Sequence, residues 1–182
     1  MNFVEPIRDK AKIKEMVEYL RERNERDQVL FELGIHTGLR ISDLLQLRKK
    51  DVRGTHIVLK EIKTKKTKRV VIVPHLKKVL DRYIRTKKDS EYLFSGRGTH
   101  GKPISRIRAY KIMRQAANEC GLQNIGTHTM RKTFGFHFYN ETKNIAMLQK
   151  LFNHSSEYIT LKYIGVQQDA IDEAMKGISL YK

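Results

Sequence analysis

Apolar positions along this chain recur at helical spacing far more often than at strand spacing. Ile13, Met16, Val17 and Leu20 follow the i, i+3, i+4, i+7 rule with charged residues between them, which predicts an amphipathic helix over residues 10–23 capped by Asp9. A second helix is expected over Glu25–Leu33, buried through Val29, Leu30 and Leu33 and stopped by Gly34. After it Gly38 turns the chain, and Ser42 or Asp43 falls in the first turn of a helix buried through Leu44, Leu45 and Leu47, so that Arg40 stands at a helix entrance. Further helical stripes are Leu76, Val79, Leu80, Tyr83 and Ile84; Ile107, Tyr110, Met113, Ala117 and Cys120, ended by Gly121; Met130, Phe134 and Phe138; and Ile145, Leu148 and Leu151.

The period changes to two in the stretch from Thr55 to Ile62, where Ile57 and Leu59 alternate with Val58 and Lys60. A β-branched run from Arg69 to Val73 follows and ends at Pro74. The two runs read as a hairpin whose turn, Lys63–Lys68, concentrates positive charge. Tyr92–Phe94 reads as a short strand, and Ser95–Gly101 as a basic connecting loop, since its glycines lack the GxGxxG or GKS/T spacing of a phosphate cradle. The expected fold class is α+β, mainly α-helical with a small antiparallel β-sheet.

Length and charge narrow the partner. A chain of 182 residues holds one well-buried domain or at most two small ones. Lysine and arginine number 37 against 20 acidic residues, a net charge of +17 with pI near 10.0, which points to a polyanion. No run of about eighteen apolar residues and no apolar signal core is present, so a soluble, cytoplasmic protein without membrane contact is expected. A single cysteine, Cys120, excludes an internal disulfide and sits on an apolar stripe, as a buried thiol would. No CxxC or HExxH cluster occurs and the seven histidines are scattered, so the expected chemistry uses no metal and no cofactor.

Candidate chemistry gathers near the carboxyl terminus. Leu151 and Phe152 close one short helix, Asn153-His-Ser-Ser156 breaks it, and Ile159 with Leu161 anchors the next segment, which leaves His154 in a turn and Tyr163 near a helix end before Gly165. A phenol of pKa ~10 is phenolate in only about one molecule in a thousand at pH 7, so a nucleophilic Tyr163 needs cations for an oxyanion and an acid for the leaving group. His128 and Arg131 lie three apart on a helix starting near Thr127, on one side of its amino-terminal end, where anions are favoured. A hairpin lysine desolvated beside arginines would have a lowered pKa and serve as an acid. Taken singly, Arg40, the lysines and the His/Arg pair read more readily as solvated surface side chains than as functional groups.

In order along the chain stand Gly-Leu-Arg40, a hairpin lysine, His128-x-x-Arg131, Phe-Asn-His154-Ser-Ser and Tyr163. This set, from about residue 10 to the end, resembles the catalytic domain of the tyrosine recombinases of the phage-integrase family. The resemblance implies that Arg40 and Arg131 grip the scissile phosphate and that His128 assists proton transfer at Tyr163. By the same resemblance His154 contacts the phosphate, and Asp43 supports the first arginine. Lys66 matches the family's general acid by its distance from Pro74, with Lys63 and Lys65 as possible substitutes. The implied reaction is DNA strand cleavage through a 3′-phosphotyrosine and rejoining without ATP, on double-stranded DNA, by a free monomer that forms a homo-oligomer, a tetrameric synapse, on its target. The resemblance implies one catalytic domain over residues 1–182; the expected absence of the family's usual preceding helical DNA-binding domain is a departure from that pattern, as in a minimal member or a fragment. In such a family the apolar stripe Ala170, Ile171, Ala174 and Met175 docks on a neighbouring subunit, whereas without DNA it is expected to fold back on its own domain. The competing classes are a type IB topoisomerase, a DNA-binding regulator that does not cut, and a basic RNA-binding module.

Overall fold

The computed structural model describes residues 4–96 and 101–178, apart from the side chains of residues 169 and 170. Helix α1, Lys10–Arg23, starts where the apolar period predicts, with the Asp9 carboxylate accepting from the Ala11 amide at 2.7 Å. Helix α2, Glu25–Thr37, runs past the expected stop at Gly34. Gly34 lies inside the helix, and packing accounts for the glycine: a Cβ there would sit 2.6 Å from Met130 Sδ. The chain turns instead at Gly38, which adopts the left-handed φ of 60°.

Two short helices, α3 (Ile41–Leu44) and α4 (Lys49–Val52), lead into β1, His56–Lys60, and β2, Thr67–Val71. The strands pair antiparallel from His56↔Val71 to Lys60↔Thr67, which sets the turn at residues 61–66 and puts Lys68 on β2 rather than in the turn. Ile57 is buried and Val58 exposed, as the alternation requires. Helix α5, Pro74–Ile84, buries Leu76, Val79, Leu80 and Ile84. Tyr92–Phe94 is not a strand: Tyr92 makes a single bridge to Arg48 while Leu93 and Phe94 turn into the core. Most of the Ser95–Gly101 loop lies outside the described residues.

Helix α6, Arg106–Glu119, buries Ala109, Ile112, Met113, Ala116 and Ala117, a face rotated from the expected one, and Ile107 is 70% exposed. Cys120 is buried at its end. Helix α7, Thr127–Thr142, is followed by α8 (Ile145–Phe152), α9 (Glu157–Ile164) and α10 (Val166–Lys176). In α9 the buried residues are Thr160 and Ile164, in place of the expected Ile159 and Leu161. The tail stripe does not fold back on its own domain: Ile171 and Met175 on α10 are 45% and 65% exposed, and the side chain of Ala170 lies outside the described residues.

Apolar side chains form two clusters. The larger joins α1, α2, the hairpin, α5 and α6, and reaches α7 at Met130. The smaller consists of Leu148, Phe152 and Ile164 with Phe134, Phe138 and Tyr163 against them. Helix α7 touches both, and the close approach happens at Gly135, where a Cβ would meet Ile164 Cγ2 at 2.7 Å and Phe152 Cε2 at 2.8 Å. An amino-terminal strap holds α7 from outside: the Ile7 amide donates to Thr133 Oγ1 at 2.9 Å, and His137 Nε2 donates to the Ile7 carbonyl at 3.0 Å. Among the described residues no helix is long and apolar enough to cross a membrane.

Candidate active site

Where the two clusters meet, a cleft of about 380 Å³ opens, lined by Arg40, Lys63, His128, Arg131, His154 and Tyr163 among others. Each wall comes from a different element. Arg40 is the residue before α3, held there by the Gly38 turn. His128 and Arg131 occupy the first turns of α7. Asn153, left-handed at φ 53°, ends α8 and puts His154 in the turn, while the Ser156 hydroxyl caps α9 by accepting from the Ile159 amide at 3.2 Å. Tyr163 lies one residue before the end of α9.

Arg131 is buried, yet among the described residues no carboxylate is bonded to it. Its Nη1 donates to the Gly38 carbonyl at 2.5 Å and its Nη2 to the Phe152 carbonyl at 2.8 Å, with the guanidinium carbon 4.0 Å above the Phe152 ring. Neutral carbonyls fix the fork without cancelling its charge. Burial brings its pKa down to about 10, so it is still cationic at neutral pH. Arg40 is braced differently: Nη1 donates to Glu61 Oε1 at 2.7 Å, and Glu61 also accepts from the Thr64 hydroxyl at 2.6 Å. Sequence reasoning missed Glu61. It had assigned the supporting role to Asp43, whose buried Oδ1 instead accepts from the Ile62 amide at 2.9 Å and so ties the hairpin to α3. The available signal was one acidic residue at the head of a lysine-rich turn.

The lysines separate clearly. Lys63 lines the cleft; Lys66 is not among the lining side chains, and its Nζ donates at 3.1 Å to Oδ1 of Asn153, a residue of the cleft wall. Lys65, between the two, is left-handed at φ 58°. Lys68, buried behind the cleft, donates to the Leu151 carbonyl at 2.7 Å. Its pKa falls to about 8 through burial and the nearby Arg131, against the opposing pull of Glu61.

Tyr163 Oη stands 3.5 Å from His128 Nδ1, the long limit of a hydrogen bond, with its ring edge-on to His154 at a 5.2 Å centroid distance. Burial raises the tyrosine's pKa while Arg131 and Arg40 pull it down. His128 is lowered by burial and then by Arg131 and Lys132, which keeps its imidazole neutral and able to accept a proton. His154 is lowered to about 4 by burial and by Arg131, Arg40 and Lys68. A neutral base, a phenol, a guanidinium held only by neutral carbonyls (Arg131) and a second one braced by Glu61 (Arg40) in one cleft suit nucleophilic attack on a phosphodiester.

The model of the Phage integrase family matches residues 8–169, a span that contains every one of these side chains. The chain belongs to the phage integrase family. The probable integrase/recombinase YoeC of Bacillus subtilis (strain 168) is 50% identical over 177 residues, covering 97% of both chains. A tyrosine recombinase of Pseudothermotoga lettingae is 31% identical over 172 residues, covering 91% of this chain and 58% of its own length. The fold is that of the site-specific recombinase XerH bound to palindromic difH substrate in a post-cleavage complex, with TM-score 0.71 and 20% identity over 97% of this chain and 54% of that one. This phage integrase chain therefore spans nearly all of one relative and little more than half of the others, and the mainly helical fold with one two-stranded antiparallel sheet is the family's catalytic fold.

Proposed function

We propose that this chain is a site-specific DNA recombinase that cleaves and rejoins strands through a covalent bond between Tyr163 and a 3′ phosphate. The observation that carries this reading is the shared cleft, in which the Tyr163 hydroxyl faces His128 between Arg40 and Arg131. Tyr163 Oη attacks phosphorus as His128 Nδ1 accepts the phenolic proton. Arg40 and Arg131 hold the non-bridging oxygens, and the bond to the 5′ oxygen breaks. Lys63, the hairpin lysine inside the cleft, replaces Lys66 as the group that protonates that leaving oxygen. His154 meets the phosphate from the opposite wall. The phosphotyrosine keeps the energy of the broken ester, so attack by another 5′ hydroxyl reverses the step without ATP.

The partner is double-stranded DNA, in keeping with the net charge of +17 and with the DNA substrate in the XerH complex. Residues 1–182 act as one catalytic domain at the nucleoid. The domain is a monomer when free and assembles on paired sites, with the exposed Ile171 and Met175 of α10 available for contact between subunits.

The deciding experiment is incubation with a nicked suicide duplex, from which the cleaved 5′ fragment diffuses away. A protein–DNA adduct that withstands denaturation, joined at Tyr163 by peptide mapping, is expected. Binding without any adduct would make the chain a non-cutting regulator, and relaxation of supercoils without exchange between two sites would make it a topoisomerase.

A further inference from the structure

Thr160 is fully buried on the inner face of α9, one turn before Tyr163. Its Oγ1 lies 3.0 Å from the Ser156 carbonyl oxygen and 3.1 Å from His154 Nδ1. A hydroxyl has one hydrogen, and a carbonyl oxygen can only accept. The threonine hydrogen therefore goes to Ser156, and the contact with the imidazole is donated by Nδ1–H. The ring is held in place: the His154 amide donates to the Gln149 carbonyl at 3.1 Å, and Phe152 and Tyr163 flank the imidazole at 5.3 and 5.2 Å between centroids.

Every charged neighbour argues against a second proton in the free protein. Arg131 on α7, Arg40 before α3 and Lys68 on β2 are positive, Lys63 and His128 line the same cleft, and Tyr163 is the neutral phenol of α9. Glu61 lies behind Arg40, already paired with it. Neutral His154 with a hydrogen on Nδ1 has a bare lone pair on Nε2, and among the described residues no protein group meets that nitrogen.

We propose that Thr160 is a positioning residue that fixes His154 as its Nδ1–H tautomer, so that Nε2 enters the cleft as a lone pair and His154 takes up one proton when a phosphate binds. An anionic oxygen repels a lone pair. The same anion within about 4–6 Å stabilises the imidazolium, so the proton comes from solvent to Nε2, Nδ1–H stays on Thr160, and the new Nε2–H donates to a phosphate oxygen. The tautomer stands on the protein's own hydrogen bonds; the proton uptake rests on the function proposed above.

Nitrogen-15 NMR of the free protein tests the tautomer directly. A protonated Nδ1 and an unprotonated Nε2 on His154 are expected, and the reverse assignment overturns the proposal. In Thr160→Val the Nδ1 acceptor is gone and the ring shifts toward the Nε2–H form, which can donate to phosphate without uptake; Thr160→Ser restores the original state. Calorimetric titration of a DNA duplex in two buffers of different ionisation heat, on a Tyr163→Phe background, should show smaller proton uptake for Thr160→Val than for the parent or Thr160→Ser. Equal uptake in all three overturns the linkage. Failure of the parent to bind DNA strikes at the proposed function, with the tautomer still decided by the NMR of the free chain.

Discussion

Arg131 on α7 and Gly38 at the end of α2 are joined by a hydrogen bond of 2.5 Å from guanidinium Nη1 to carbonyl oxygen. The position of a side chain proposed to grip the phosphate is thus set by a turn far away in sequence. Gly38→Ala would place a methyl in the left-handed region at φ 60° and 2.5 Å from Phe134 Cδ1. A loss of about 1–3 kcal/mol is expected from the strain, together with slower cleavage as Arg131 loses its brace. A variant that melts and cleaves like the parent would show that the turn tolerates a side chain and that Arg131 does not depend on it.

Tyr163→Phe should remove covalent attachment while DNA affinity stays nearly intact, because the hydroxyl enters the chemistry and adds little to binding. Arg40→Ala and Arg131→Ala should each slow cleavage by roughly 10²–10³, the cost of losing one oxyanion donor. Single-turnover rates on the suicide duplex check all three, and near-parental rates for either arginine variant would take that residue out of the assignment.

A 5′-bridging phosphorothiolate expels a thiolate that needs no proton, which separates the hairpin lysines. Lys63→Ala should cleave an ordinary strand poorly and the phosphorothiolate strand at close to the parental rate. Lys66→Ala, which removes an ammonium bonded to Asn153 Oδ1, should show little selective rescue. The opposite pattern would return the acid to Lys66.

His154 gives the fold a pH dependence whose sign is fixed by its lowered pKa of about 4 against the ordinary 6.5. Between those values the unfolded chain binds more protons than the folded one, so stability is full above about 6.5 and declines as pH falls toward 4. Partial exposure of the ring limits the size of the effect. Denaturant midpoints measured across that range should fall with acid, and His154→Asn should flatten the decline. An unchanged slope in that variant would assign the titration to other groups, such as His128.

Local signals were legible in the sequence and contacts between distant elements were not. Helix α1 and its Asp9 cap depend on neighbours within one turn, and so does the placing of His128 and Arg131 on one side of α7. Gly34 looked like a stop because its reason for being glycine is Met130, a residue of another helix. The α6 stripe was read rotated because Ile107 and Tyr110 are apolar yet face outward. A run of lysines in a turn gives no register, and the left-handed backbone at Lys65, between Lys63 and Lys66, is invisible to composition. Glu61 escaped notice because a carboxylate becomes a brace only after the hairpin brings it to Arg40.

The side chains proposed for catalysis are divided between two unequal apolar bodies. Arg40 and Lys63 are carried by elements of the larger, whereas His154 and Tyr163 stand on the small packing of Leu148, Phe152 and Ile164. So few buried side chains can come apart in a subglobal opening while the rest of the molecule keeps its structure. Heat should accordingly silence the enzyme before it melts it. Amide exchange in α8 and α9 should run ahead of exchange in α2, and the temperature at which cleavage fails should lie below the calorimetric transition.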